Sequence, residues 1–196
     1  GDTGLRPERT STFKAGTRFR TRGVEAVVSG FYSKGNDIID WVYPTAESKK
    51  YQAMNIGKLD NMGYSVDAAL HLQELLPKFF ITRIKAGYAF IHQKHSTDGD
   101  VYGSLYALEY LRHKATLQVD HRIWRQLTAS WALRWQERMN GYHPYTKVDV
   151  RLQWTAPTYN IYVKADNITN HHYYDLGNVR QPGIWVMAGA SVKLKF

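Results

Sequence analysis

The end of this chain constrains its fold more than any other stretch. Counting back from residue 196, Phe196, Leu194, Val192, Ala190, Ala188, Val186 and Ile184 share one face of an extended strand, and Lys195, Lys193, Ser191 and Gly189 share the other. The same period of two recurs upstream. Phe13, Ala15, Thr17 and Phe19 oppose Lys14, Gly16 and Arg18, and Leu127, Ala129, Trp131, Leu133 and Trp135 oppose Thr128, Ser130, Arg134 and Gln136. From Val24 to Lys34 the pattern is imperfect, because Val27 and Phe31 fall on the polar side. An alternating chain is all-β and antiparallel, but two folds satisfy it. A sandwich buries the apolar face in its core, whereas a transmembrane barrel turns that face to lipid.

Strand length and loop placement discriminate between them. The run over residues 51–73 keeps one phase, with Met54, Ile56, Met62, Tyr64, Val66, Ala68, Leu70 and Leu72 in register, interrupted only by Lys58 and Asp60. Read as one strand, it far exceeds the globular norm of about 5–6 residues. Its apolar part, 62–72, matches the roughly 9–11 residues that cross a bilayer at a tilt. About nine long strands are expected in all. Short turns are expected near Thr21, Leu75, Arg125 and Thr155, and longer loops near Gly35, His95, Met139 and Asn167, which places every long loop at one end, as in an outer-membrane barrel. Tyr64, Tyr88, Trp131, Trp135, Trp154 and Tyr159 on the apolar faces are the residue types of interfacial girdles.

Composition closes off other classes. No apolar run approaches the ~18 residues of a spanning helix, and a mean hydropathy of −0.48 is compatible with a barrel, because half of each strand is polar. The absence of Cys removes disulfide and thiolate chemistry. A net charge of +9 is spread singly along the strands, so no dense phosphate-binding stripe for nucleic acid forms. No Ser/His/Asp constellation, P-loop or paired-carboxylate site is present, so no enzyme and no cofactor is expected. His92 with His95, and His171 with His172, lack the companions of a coordination shell, and no metal is expected.

Two groups of candidate site residues follow. Arg83, Lys85, Arg134 and Lys164 fall on the polar face, which in a barrel lines the lumen and meets whatever fills it. Trp41, Tyr43, Tyr102, Tyr106, His143, Tyr173, Tyr174, Arg180 and Trp185 fall in or beside the longer loops, where aromatic faces can stack on a planar ligand. The competing reading is that the first group only solvates the inner wall and the second only packs the loops.

Motifs then accumulate in order: Leu5-Arg-Pro-Glu-Arg-Thr10, Tyr51-x-x-x-Asn55-Ile-Gly-Lys58 with Gly63 beyond, Asp166-Asn-Ile-Thr-Asn170 followed by Tyr173-Tyr174, Gln181-Pro-Gly183, and a terminal Phe196. Together they resemble the C-terminal part of a TonB-dependent outer-membrane receptor, with Ser65 where that family often has Glu and Ile184 where it often has Arg. The resemblance implies a 22-stranded barrel around a plug. Residues 1–196 would supply the last nine strands of one barrel domain, with the plug and the earlier strands outside this chain. It implies TonB-dependent active import of a scarce small ligand, cobalamin or a metal chelate such as a siderophore, across the outer membrane of a Gram-negative bacterium. The implied partners are the rest of the same receptor, TonB through the missing N-terminal part, outer-membrane lipid, the barrel assembly machinery reading Phe196 as its signal, and optionally a surface lipoprotein. The alternatives are a passive or structural outer-membrane barrel and a soluble β-sandwich that binds carbohydrate.

Overall fold

The computed structural model describes residues 3–43, 45–47, 49–97, 103–104, 111–139, 141–175 and 179–195. In chain order the elements are β1 (Arg9–Thr21), β2 (Val24–Asn36), β3 (Ile39–Tyr43), β4 (Gln52–Asn55), β5 (Gly57–Leu70), α1 (Leu72–Leu75), β6 (Ile81–Thr97), β7 (Gly103–Ser104), β8 (Leu111–Trp124), β9 (Leu127–Arg138), β10 (Tyr145–Thr155), β11 (Tyr159–Asp166), β12 (Tyr174–Asp175), β13 (Val179–Arg180) and β14 (Trp185–Val192). Nine of them form one antiparallel sheet in the order β1-β2-β5-β6-β8-β9-β10-β11-β14, each long strand beside the next. β4-β3-β7 and β12-β13 form two small sheets in the connections.

No second sheet of comparable size covers this one among the described residues, so the sandwich reading fails. The exposed area is 13442 Å², whereas a compact globular chain of 22.6 kDa exposes about 9,500 Å². The excess lies where the alternation places it. Phe13 (72% exposed), Phe19 (59%) and Val186 (61%) stand out from one face, with Met62, Tyr64, Val66, Leu133, Leu152 and Ile161 in the same rows.

The opposite face is the concave one. A curved sheet crowds the side chains on its inner side, and the glycines register that crowding. A Cβ on Gly87 would lie 2.6 Å from the Asp67 carboxylate and 2.8 Å from the Thr116 hydroxyl, and one on Gly63 would lie 2.8 Å from the Phe31 ring. Gly189 makes room for Tyr162 in the same way. Gly30, on the apolar face, would meet only a backbone oxygen, at 3.5 Å. Polar inside and apolar outside is the arrangement of a membrane-spanning barrel wall. Phe31 and Val27 break the pattern because they fill inner-face hollows, Phe31 over Gly63 and Val27 between Glu25 and Asp67.

Two aromatic belts bound the apolar face. Near the loop end, Tyr64, Tyr88, Phe90, His113 and Trp135 run in a chain of ring contacts of 5.1–6.1 Å, and Tyr88 Oη lies 2.6 Å from His113 Nδ1. Near the turn end, Phe79, Phe80 and His121 are in contact, Trp131 Nε1 donates to His121 Nε2 at 2.9 Å, and Trp124 packs on Trp154. The eleven steps from His113 to Trp124 along β8 (124 − 113), at about 3.3 Å each and a tilt near 40°, span about 28 Å, close to the apolar band of an outer-membrane barrel.

Three expectations are corrected. The run over 51–73 is two strands and a helical turn: Gly57, at φ 112°, breaks it into β4 and β5, and Leu72 opens α1. Above the break the inside becomes the buried side, where Leu59 and Ile56 join Val42 in the only fully apolar cluster among the described residues. Lys58 and Asp60 therefore do not interrupt a lipid-facing strand; they mark where it leaves the lipid. Connection lengths also differ from expectation, since the turn at 71–80 is longer than the loop at 139–144. That turn folds under its neighbour, with Glu74 accepting from the Gly23 amide at 3.1 Å and Leu75 packed on Gly23.

Candidate functional site

The inner wall carries Arg83, Lys85, Arg134 and Lys164 as the alternation requires. Arg83 donates from Nε (2.9 Å) and Nη2 (2.8 Å) to the same Asp120 oxygen. The other Asp120 oxygen accepts from the Ser130 hydroxyl at 2.6 Å and from Gln118 at 3.1 Å. With its carboxylate saturated in this way, Arg83 is a wall brace. Lys164 lies 3.4 Å from Asp166 on its own strand. Beside it, the Arg151 guanidinium stacks 4.2 Å above Tyr162, an anchoring that alternation alone does not disclose. Lys85 borders a hollow of about 410 Å³ with Glu25, Asp67 and Gln118. Arg134 sits between Thr116 and Lys147 in register, and its buried Nε has no hydrogen-bond partner among the described residues.

The motif residues turn out to be clasps that close the loop ends. Asn55 accepts the Arg6 amide at 2.8 Å and donates to the carbonyls of Arg6 (2.9 Å) and Asp37 (2.7 Å), while Arg6 pairs with Asp37 at 2.9 Å. The segment before β1 is thus tied to the loop between β2 and β5. At the other end, Asn167 is 1% exposed and left-handed at φ 52°. Its amide donates to Asp149 at 2.8 Å, its side chain donates to the carbonyls of His171 (2.9 Å) and Pro182 (3.3 Å), and its Oδ1 accepts the His171 amide at 3.0 Å. Asn170, at φ 50°, accepts the Ile184 amide at 3.0 Å, and Gly183 is required because a Cβ there would strike that side chain. Sequence reasoning noted these motifs without their role; asparagines in left-handed positions at strand ends are the signal for it.

These clasps hold up two loop assemblies. In the first, Trp41 and Tyr43 project from β3 on the side opposite the buried Asp40 and Val42. Tyr43 is stacked on Tyr51 at 4.0 Å, and Trp41 is half exposed. Tyr102 and Tyr106 lie outside the described residues, as does Phe196.

In the second, the loops on either side of β10 and β11 enclose a hollow of about 230 Å³ lined by Tyr142, His143, Tyr145, His171, His172, Tyr173 and Tyr174. Tyr173 is buried and stacks on Tyr145 at 4.1 Å, so it is the pillar of the hollow. His143 and Tyr174 are exposed at its rim. Tyr174 pairs with Arg180 across the β12–β13 hairpin, and Arg180 Nη2 donates to His172 Nδ1 at 3.2 Å. Arg138 fastens the hairpin to β9 through Asp175 at 2.6 Å. Trp185 stands apart at the loop end of β14, on the inner face opposite Asp166. Phenol and imidazole rings with one guanidinium offer stacking faces, directional hydrogen bonds and a cation. His92 and His95 lie on opposite faces of β6, and no metal-binding cluster of three or more His, Cys, Asp or Glu forms among the described residues.

Among curated protein sequences none matches this chain. Solved structures do. The FrpB iron transporter from Neisseria meningitidis superposes with a TM-score of 0.70 at 17% identity, over 95% of this chain and 31% of that one. The copper transporter OprC gives 0.75 at 15%, over 97% and 32%. The pyoverdine outer membrane receptor FpvA from Pseudomonas aeruginosa PAO1 gives 0.65 at 15%, over 97% and 30%. The chain thus spans about a third of the length of these proteins, and the likeness is one of fold. A family model described as "TonB dependent receptor-like, beta-barrel" matches residues 1–168. The chain belongs to the TonB-dependent receptor-like β-barrel family, a family of outer-membrane receptors of Gram-negative bacteria and not of enzymes.

Proposed function

We propose that this chain is the last nine strands of a 22-stranded receptor barrel that imports a scarce metal chelate by the TonB-dependent route. The plug, the earlier strands and the segment that contacts TonB belong to the part of the receptor outside this chain. The barrel assembly machinery would read Phe196, and a surface lipoprotein is an optional accessory. The observation that carries the ligand class is the hollow lined by His143, His172 and Tyr174, with Arg180 held beside it on His172. At about 230 Å³ it is sized for part of a small ligand. Its rings and the neighbouring Arg180 guanidinium suit an aromatic or anionic chelator more than an aliphatic one. Structural relatives whose names specify iron, copper, ferric enterobactin and pyoverdine support a metal-related cargo over cobalamin.

Equilibrium binding of the intact receptor to ferric catecholate and ferric hydroxamate siderophores, to copper ion and to cobalamin tests this. A ferric chelate should bind, and the Tyr174→Ala and Arg180→Ala variants should each weaken it about tenfold, the worth of one stacking or charge-assisted contact. Binding of cobalamin alone, or of none of these, would overturn the ligand class.

A further inference from the structure

Two hydrogen-bond donors are buried without an acceptor at one place on the inner wall. Tyr145, at the loop end of β10, is 6% exposed, and its phenol oxygen has no partner among the described residues. The Nε of Arg134, on β9, is in the same condition. The register makes them neighbours. Tyr145 is opposite Gln136 and Lys147 is opposite Arg134, so Tyr145 and Arg134 are diagonal on one face, about 7–8 Å apart at the backbone and within reach at their side chains. Arg134 is also the charged group that acts most strongly on the Tyr145 phenol. On β8, Lys114 is level with Gln136 and diagonal to Arg134 on the same face.

Charge decides what fills such a place. Neither Arg134 nor Lys114 has an ion-pair partner among the described residues. The acidic groups beside them are committed, Asp149 to Lys147 (3.6 Å) and to the Asn167 amide (2.8 Å), and Asp175 to Arg138 (2.6 Å). Two uncompensated cations therefore stand beside two buried donors that lack an acceptor, and buried donors are costly to leave unmatched. The complement is an anion that accepts hydrogen bonds. A carboxylate is flat, meets the guanidinium fork along one edge and keeps lone pairs for the phenol. Tyr145 also lines the loop hollow and supports Tyr173 there, so the place opens on the candidate ligand site. We propose that Arg134 and Tyr145, with Lys114 beside them, form a carboxylate-binding site at the foot of the hollow, and that the cargo carries a free carboxylate. This rests on the reading of the hollow as the seat of a metal chelate, and it narrows the class to chelates that keep one carboxylate clear of the metal.

The test measures equilibrium binding of two probes to the intact receptor by quenching of intrinsic fluorescence. One is the ferric complex of a tris-catecholate chelator with a pendant carboxylate, and the other is the same complex with that carboxylate as a primary amide. Wild type should bind the carboxylate form at least about tenfold more tightly, the worth of one charge-assisted contact. Arg134→Gln should bring the two affinities within about twofold of each other and bind the amide form as wild type does, which shows the hollow intact. Tyr145→Phe keeps the ring stack on Tyr173 and should cut the preference about fivefold. Lys193→Gln, the same charge loss at the turn end, should leave the preference unchanged. If Arg134→Gln loses both probes, Tyr145→Phe decides. Equal affinities in wild type, as when an acidic side chain from the rest of the receptor already fills the place, would overturn the site and leave the chelate reading standing. So would a preference that survives both Arg134→Gln and Tyr145→Phe. Binding of neither probe by wild type would overturn both.

Discussion

Replacing Asn167 tests whether the loop hollow is held by one buried side chain. Asn167→Ala removes two donated bonds, to the His171 and Pro182 carbonyls, and one accepted bond, from the His171 amide, and it leaves those groups without partners in a site that is 1% exposed. At about 1 kcal/mol each the three bonds contribute about 3 kcal/mol. Holding Ala at φ 52° adds about 1 kcal/mol. The total of about 4 kcal/mol falls on the 167–184 connection, because all three side-chain bonds lie within it, whereas the bond from the Asn167 amide to Asp149 is a backbone one that the substitution leaves in place. Asn167→Gly separates the two contributions: it loses the same bonds without the backbone cost, so it should destabilise by about 3 kcal/mol. Hydrogen exchange on the intact receptor should show the amides of His171 and Ile184 opening about a thousandfold more readily in Asn167→Ala. Asn167→Gly should be intermediate, with strand amides of β9 and β10 unchanged. Wild-type protection of the loop in Asn167→Ala, or equal loss in the loop and the strands, would refute the reasoning.

The clasp at the other end should behave alike. Asn55→Ala frees the Arg6 amide and the Arg6 and Asp37 carbonyls, a loss of about 2 kcal/mol at this partly exposed site, and trypsin should cut after Arg9 faster than in wild type. Gly63→Ala places a methyl against the Phe90 carbonyl and the Phe31 ring. Since the first obstacle is backbone, Phe31→Ala should not restore assembly, and both Gly63→Ala and the double variant should yield less heat-resistant barrel than wild type.

Much of this was legible because the spanning strands obey one rule. Nine strands, their order and their two faces follow from a period of two that lipid outside and water inside both enforce. Lys58 and Asp60 show where reading by phase alone ends: the phase continued, but at Gly57 the environment changed from lipid to a loop core, and the buried side switched to Leu59 and Ile56. The loop residues were less legible because stacking and clasping are long-range contacts between segments that no periodicity relates. Tyr173, an obvious aromatic for a ligand, is buried on Tyr145, whereas His171 and His172, weighed in the sequence only as a metal pair and set aside, line the hollow. Asn55 and Asn167 stood in recognisable motifs, but their partners lie up to 49 residues away for Asn55 and up to 18 residues away for Asn167.

The central claim is that one face of these strands meets lipid and the other meets an enclosed aqueous or protein-filled lumen. Spin labels at single cysteines along residues 61–68 of β5 in the intact, membrane-embedded receptor, with any cysteine outside this cysteine-free chain replaced, report on that directly. Labels at Met62, Tyr64, Val66 and Ala68 should collide readily with molecular oxygen and poorly with a polar nickel chelate. Labels at Asn61, Ser65 and Asp67 should lose that oxygen preference, giving a clean period of two. No alternation, or alternation of the opposite phase, would contradict the account.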